Sequence, residues 1–279
     1  MNKTRNRVIQ TTLKYIFMTI LAAFVLIPLY YLIVTTFKSG AEATAAPMAL
    51  PQKIDFSGYR NAFQKMQYPR SLLNTIIITV CSVAGIIVTS SMCGYVLNRK
   101  GKYKAAGFVF TLLLSGMMFP YQMSILGLYK LVQSMHLMNK LICVILIDIA
   151  CNIPFGTFMF RNFVTVIPIE LEEAAHIDGA GTFRTFLVIT FPLMKPIVAT
   201  VAILDALTIW NDFLGPLYFL QKRQNDVLLQ EIYRNVGQFS TDWTSLFQML
   251  VLAALPLLVF YLFMQRYIIG GVMSGSVKG

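Results

Sequence analysis

The chain has 279 residues, of which 57% are hydrophobic and 13% are charged, and its mean hydropathy is +0.66. Soluble domains carry about 25% charged residues, so this composition disfavours an ordinary soluble enzyme and favours a membrane protein. The formal net charge of +11 would suit a nucleic-acid-binding protein. However, the basic residues lie between apolar blocks, where Lys and Arg report membrane topology, and we expect a lipid bilayer and no nucleic acid as the surroundings.

Six apolar blocks follow one another along the chain, each near the roughly 20 residues that a helix needs to cross the hydrocarbon core. They show no alternation of apolar and polar residues, which disfavours a β-barrel. The blocks therefore predict an all-α polytopic membrane protein with six transmembrane helices. The predicted spans are 15–37, 71–98, 105–129, 141–160, 197–221 and 243–265.

The basic start of the chain, residues 1–14, precedes the first span. A basic start followed by an apolar run also occurs in secretory signals, but the run at 15–37 exceeds the 7–15 residues of a signal, and we expect it to be retained. Dense basic clusters at 3–14 and 99–104 indicate the cytoplasmic side, which places both termini in the cytoplasm. The predicted organisation continues with an outer segment 38–70, a five-span core 71–265 containing an inner loop 161–196, and a cytoplasmic tail 266–279.

No catalytic or metal-binding set is recognisable. The four cysteines lie inside predicted spans without metal-ligand spacing, and no Ser/His/Asp set converges. The phosphate-binding pattern G-x-x-x-x-G-K-[ST] is missing from the sequence. We therefore expect no metal, no cofactor and no nucleotide bound by this chain, and a membrane enzyme or a scaffold is a weak alternative.

The inner loop 161–196 has an unusual composition, with four of the twelve acidic residues within nine positions. Pro168 suits the first position of a helix, acids suit the positive end of the helix dipole, and Gly179 suits a left-handed stop. The pattern predicts a short helix at about 168–177, parallel to the membrane, and a second helix from about 182 to 192. A helix of this kind suits either a groove in a partner protein or an ordinary amphipathic connector, and the residues alone leave both readings open.

Three aspartates, Asp148, Asp205 and Asp212, lie inside predicted spans. A charged side chain at a helix centre costs about 2.5–3.5 kcal/mol on insertion scales, so each is expected to face the helix bundle or a wet cavity. They serve either as structural bonds between helices or as ion sites of a proton- or sodium-coupled secondary transporter. Pro120 in the third span and Pro154 in the fourth predict kinks or local openings.

The spacing Glu173-Ala174-Ala175, three residues, Gly179, nine residues, Ile189-Thr190-Phe191-Pro192 resembles the EAA loop of bacterial ABC-importer permeases. Phe191 in place of Leu is the only departure from that pattern. The stretch 167–180 is similar to the permeases of carbohydrate importers, specifically the smaller partner of a maltose-permease-like heterodimer. Segments 118–122, 210–217 and 265–279 share that style, so the resemblance covers nearly the whole chain from the first span onward.

This resemblance implies the type I importer fold and a transport subunit, not an enzyme, that moves a sugar, in particular an oligosaccharide, inward by alternating access. It implies a bacterial cell membrane, a second permease subunit, two ATPase subunits that bind ATP and Mg, and an extracytoplasmic solute-binding protein. The implied ATPase-coupling residues are Glu172, Glu173, Ala174, Ala175, His176, Asp178, Gly179 and Ala180. A tail contact with the ATPase is implied for Ser274, Gly275, Ser276, Val277, Lys278 and Gly279.

Substrate-path residues follow from the chemistry of sugar binding, in which aromatic faces combine with amide and carboxylate hydrogen bonds to hydroxyls. Asn152 stands beside a proline in the fourth span, and a cluster in the fifth block combines an indole, an amide, a carboxylate and a phenol. The predicted path residues are Asn152, Trp210, Asn211, Asp212 and Tyr218.

Overall fold

The computed structural model describes residues 2–236 and 242–276, and these contain helices and turns but no strand. The chain divides into two compact units, Met1–Tyr68 with Ile232–Ala254, and Pro69–Glu231 with Leu255–Gly279. The first unit contains α1 (Asn2–Thr35), α2 (Gly40–Ala45), α3 (Ser57–Lys65) and the beginning of α14 (Trp243–Ser276).

The second unit holds the remaining helices. These are α4 (Tyr68–Arg99), α5 (Lys104–Gly116), α6 (Tyr121–Ser134), α7 (Leu141–Val164), α8 (Glu170–Ile177), α9 (Thr182–Thr185), a π-helical turn (Phe186–Thr190), α10 (Phe191–Leu193), α11 (Lys195–Trp210), α12 (Leu214–Phe219), a 3₁₀ turn (Arg223–Asn225) and α13 (Leu228–Arg234).

Four helices of the described residues are long and apolar enough to cross a membrane: Gln10–Thr35, Tyr68–Arg99, Leu141–Val164 and Trp243–Gln265. Two further pairs pass the same criterion but are bent, Lys104–Gly116 with Tyr121–Ser134 by 100° and Thr182–Leu193 with Lys195–Trp210 by 76°. The count is therefore six spans if each bent pair is one span, which is consistent with the predicted six.

The fifth predicted span differs from the structure. Its helix ends at Trp210 instead of running to 221, and the chain turns before the short helix α12. Residues 182–193, expected as a helix of the inner loop, form the other arm of the bent pair. In the third span the break falls at 117–120, where Pro120 was expected to open the helix.

Residues 38–68 of the predicted outer segment belong to the first unit and form an ordered structure. Lys38 is buried, and its Nζ donates to the backbone oxygens of Ala46 at 2.8 Å and Pro47 at 3.0 Å. Before α3, the side-chain hydroxyl and then the backbone N–H of Ser57 donate to Asp55 and hold the pKa of this exposed carboxyl below its usual value. The segment has no long apolar run to bury, and these local hydrogen bonds hold its conformation instead.

Helices α4 and α7 pack closely because small residues lie where they meet. A Cβ on Gly94 would stand 2.7 Å from the backbone nitrogen of Arg161, and one on Gly156 would stand 2.6 Å from Ser90 Oγ. Side-chain hydrogen bonds cross the same contact, including Asn98 Nδ2 to the oxygen of Arg161 at 2.9 Å. Small residues with polar cross-links are typical of helix contacts in membranes.

Candidate functional site: helix α8 and a membrane cavity

Helix α8 ends at Ile177, where the sequence pattern predicts, but it begins at Glu170, two residues after Pro168, the predicted first position. Its first turn carries Glu170, Glu172 and Glu173 at the positive end of the helix dipole. At its end, the Ala180 N–H donates to the oxygen of Ala175 at 2.9 Å and the Gly179 N–H donates to that of His176 at 3.0 Å. This is a Schellman motif, and it requires the left-handed conformation that Gly179 adopts with φ of 83°.

The two faces of α8 have different surroundings. Glu173 and Ala174 precede Ile177 by four and three residues, so the three side chains share one face of the helix. All three residues are exposed, and Ile177 is 87% exposed. Glu172 and Ala175 occupy the opposite face and are buried within the unit. Of the two alanines in the motif, only Ala174 therefore offers a small surface to another molecule.

Glu172 differs most from its predicted role as a contact residue. Its carboxylate is 6% exposed and forms an ion pair with Arg99, with Nη2 at 2.8 Å from Oε1. A carboxylate held inside the chain in this way is not presented at the surface. Among the other predicted coupling residues, His176, Asp178 and Gly179 are exposed, and Ala180 is half-buried.

A cavity of about 910 Å³ lies within the membrane part of the second unit. It opens where the third span breaks and is bounded by α7 and α11. Aromatic and polar side chains share its wall, including Phe119, Tyr121, Ser124, Asn152, Asp205 and Thr208. Its composition suits a hydroxyl-bearing solute, since aromatic faces and hydrogen-bonding groups stand side by side.

Asn152 is the one predicted path residue on this cavity wall, and the other four are placed elsewhere. Asp212 Oδ1 accepts from the backbone N–H groups of Leu214 at 3.1 Å and Gly215 at 3.2 Å, so this carboxylate caps α12. Asn211 Nδ2 donates to the oxygen of Leu207 at 2.8 Å. Trp210 lines a separate apolar groove, and Tyr218 is 40% exposed away from the cavity.

Asp205 is the residue that the sequence prediction left out of the path. It is 2% exposed, lines the cavity, and its Oδ2 has no hydrogen-bond partner among the described residues. The only sequence signal was its charge inside an apolar block, which Asp148 and Asp212 share. Asp148 instead accepts from Ser82 Oγ at 3.2 Å, as expected of a charge that bonds neighbouring helices.

The predicted contact of the tail with the ATPase and the expected absence of a metal are not tested by the structure and stay predictions. The tail residues Val277, Lys278 and Gly279 lie outside the described residues, while Ser274, Gly275 and Ser276 belong to the last turn of α14. Among residues 2–236 and 242–276, no group of three His, Cys, Asp or Glu side chains is placed to hold a metal ion.

The apolar spans and the α8 loop fit a membrane transport protein, and comparison with known proteins identifies the family to which the chain belongs. Residues 86–273 match the family model described as "Binding-protein-dependent transport system inner membrane component". The match spans more than half of the chain. The chain belongs to this family, and it is a multi-pass permease component of an importer that works with a binding protein.

Among its relatives, the melibiose/raffinose/stachyose import permease protein MelC of Bacillus subtilis is 35% identical over 266 residues, which cover 94% of this chain and 96% of MelC. The diacetylchitobiose uptake system permease protein NgcG of Streptomyces coelicolor is 31% identical, covering 91% of this chain and 84% of NgcG.

The fold is also similar to a chain in the crystal structure of a bacterial ABC transporter involved in the import of the acidic polysaccharide alginate. The TM-score is 0.82 at 24% identity, covering 93% of this chain and 96% of that chain. This likeness shows the type I importer permease fold. Nothing in these comparisons supports an ion-coupled secondary transporter.

Proposed function

We propose that this chain forms half of the translocation path of a sugar importer and carries an oligosaccharide across the cell membrane. The relatives at 35% and 31% identity have names that specify oligosaccharide import or uptake. The cavity between the broken third span, α7 and α11 supplies aromatic faces and hydrogen-bonding groups for such a solute. Asn152 and Asp205 are its proposed hydrogen-bonding contacts.

The second half of the path belongs to a different permease subunit in the proposed assembly, with two ATPase subunits on the cytoplasmic side and a solute-binding protein outside. ATP and Mg bind to the ATPase subunits, since this sequence lacks the phosphate-binding pattern. Both termini lie in the cytoplasm, on the side of the basic clusters. The tail from Ser274 onward extends towards the ATPase.

The exposed face of α8 is the proposed ATPase contact. Glu173 and Asp178 offer carboxylates for basic residues of the partner, and Ala174 permits close approach beside Ile177. Ile177, which is 87% exposed beside these groups, carries this proposal, because covering its apolar side chain with a partner removes that area from water and so favours association.

Affinity purification of the tagged chain, expressed in its native cells, tests this assembly. We expect an ATPase subunit to co-purify, and uptake of labelled raffinose, stachyose or diacetylchitobiose into vesicles to stop when ATP is depleted while a proton gradient is kept. Glu173→Lys should weaken co-purification, and Asp55→Lys, the same change of charge at an exposed carboxylate outside the α8 loop, serves as the control. Uptake that continues without ATP would contradict the proposal.

A further inference from the structure

The carboxylate of Glu172 receives hydrogen bonds from two separate parts of the chain. Tyr95 Oη donates to Oε2 at 2.9 Å, and Arg99 donates to Oε1 through Nη2 at 2.8 Å and Nε at 3.0 Å. Thr190 Oγ1 donates to Oε1 at 3.2 Å. We call these four side chains the Glu172 network. It links α8 to the cytoplasmic end of α4 and to the π-helical turn before α11.

The Glu172 network is shielded from water. Tyr95 is 5% exposed, Thr190 0% and Glu172 5%, and the Arg99 side chain is 17% exposed. Arg99 Nη2 also donates to the oxygen of Ile167 at 3.0 Å, which fixes the segment leading into α8. Screening by solvent weakens exposed ion pairs, whereas a buried pair with satisfied donors holds its geometry. The link is therefore stiff.

Helix α4, to which the Glu172 network is attached, is the longest unbroken helix of the second unit. Its 32 residues correspond to about 48 Å at 1.5 Å per residue, enough to cross the bilayer. The third and fifth spans, in contrast, are bent by 100° and 76°. A displacement applied to α8 can therefore be carried along α4, which is unbroken, as is α7, the helix that precedes α8 in the chain.

We propose that Glu172 is a positioning residue for energy coupling, which locks α8 to α4 so that a push on α8 moves α4 and the π-helical turn with it. The inference rests on the proposed function, in which the exposed neighbours of Glu172 meet the ATPase. It separates two roles within one motif: Glu173 makes the contact, and Glu172 passes the movement on.

The test uses the assembled transporter in proteoliposomes, with the native Cys151 as the reporter, because it is exposed and lines the membrane cavity. The other three cysteines are replaced by alanine. The measured quantity is the rate at which a membrane-impermeant methanethiosulfonate modifies Cys151, with and without Mg-ATP plus vanadate. The variants are Glu172→Gln, Tyr95→Phe, which removes one donor and keeps the ring, and Asp55→Asn as the control at an exposed carboxylate outside the α8 loop.

In the parent chain and in Asp55→Asn, we expect ATP plus vanadate to change the rate by roughly tenfold, within the usual range of allosteric coupling. In Glu172→Gln the change should fall to about twofold or less, while the ATPase subunits still co-purify and hydrolyse ATP. Tyr95→Phe should be intermediate. A lock that merely stabilised the fold would lower the yield of complex and leave the response to ATP unchanged.

A full response to ATP in Glu172→Gln would overturn the inference. If Glu172→Gln does not assemble, a full response in Tyr95→Phe would overturn it equally, and a reduced response would support it. If the parent chain itself shows no response, the proposed function of the cavity is contradicted, and the inference with it. The parent and the variant therefore report the two failures separately.

Discussion

The two ends of α4 carry the same chemistry in different surroundings. At the C-terminal end, called the inner end here after the side of the membrane predicted for it, Glu172 pairs with one arginine, and the side chains of Arg99 and Glu172 are 17% and 6% exposed. At the N-terminal end, called the outer end in the same sense, the side chain of Glu231 is 0% exposed but pairs with two arginines, Arg223 at 2.9 Å and Arg70 at 3.4 Å, whose side chains are 49% and 36% exposed. The inner ion pair is therefore largely shielded from solvent, whereas the outer arginines are in contact with it.

The two glutamates also differ in the number of cations paired with them. If one arginine is lost, Glu231 keeps the other, and solvent reaches both arginines. The inner glutamate keeps only two hydroxyls if Arg99 is lost. A buried charge without its partner is costly, whereas an exposed one is screened. The inner end of α4 should therefore be fragile and the outer end tolerant.

Arg99→Met should produce the largest effect. It leaves the Glu172 carboxylate buried without its cation, and we expect the free energy of unfolding to fall by about 3–5 kcal/mol. The double variant Arg99→Met/Glu172→Met should recover most of this loss, because it buries no charge. Denaturant unfolding of the purified chain in detergent measures both. A loss below about 1 kcal/mol in the single variant would remove the contrast between the two ends.

Gly94→Ala probes the inner half of α4 by packing alone. The new methyl group would stand 2.7 Å from the backbone nitrogen of Arg161 and 2.8 Å from Phe160 Cβ. Backbone on α7 cannot move aside easily, so a loss of about 1–3 kcal/mol is expected. Gly85→Ala is the matched control, since its methyl group would meet only the flexible side chain of Ile149. Thermal unfolding should rank Gly94→Ala clearly below Gly85→Ala.

Arg223→Met should have the smallest effect, about 0.5–1 kcal/mol, because Arg70 remains beside Glu231 and the lost pair was half exposed. Removing Arg70 as well should cost more than twice the single change, since Glu231 is then left buried without either arginine. The same unfolding measurement applies. A single outer change as damaging as Arg99→Met would show that the outer arginines do not substitute for one another.

The sequence was sufficient to locate α8 and all the spans but the fifth to within a few residues of one or both ends, because their signals are local. A run of about 20 apolar residues suffices to recognise a span, and Pro168, three glutamates and Gly179 bracket α8 within a dozen positions. The bends were harder, because the angle at which a span breaks is set by the helices packed against it. Pro120 marked one break correctly, and the other break falls at Met194, between Pro192 and Pro196, inside what was expected to be the inner loop.

The predictions for the site residues also depended on whether the partners of a side chain are near it or distant in sequence. Asp212 was expected on the substrate path, yet it precedes the free N–H groups of Leu214 and Gly215 and caps them, a local use of a carboxylate. Gly215 permits this, since a Cβ there would stand 2.4 Å from Asp212 Oδ2. Glu172 could not be assigned, because its partners Arg99 and Thr190 are distant in sequence and only the fold unites them.

One face of α8 is buried and the other is exposed, so the position at which the helix begins decides which side chains point outward. Each residue turns the helix by about 100°, so adding or removing one residue between Pro168 and Glu172 would swing the Glu172 carboxylate out to the surface and turn a neighbour inward. The partner would then meet a different set of side chains, and Arg99 would lose its anion. The number of residues between Pro168 and Glu172 thus sets which side chains of α8 face outward, and we expect this interval to tolerate exchange of residues far better than a change in their number.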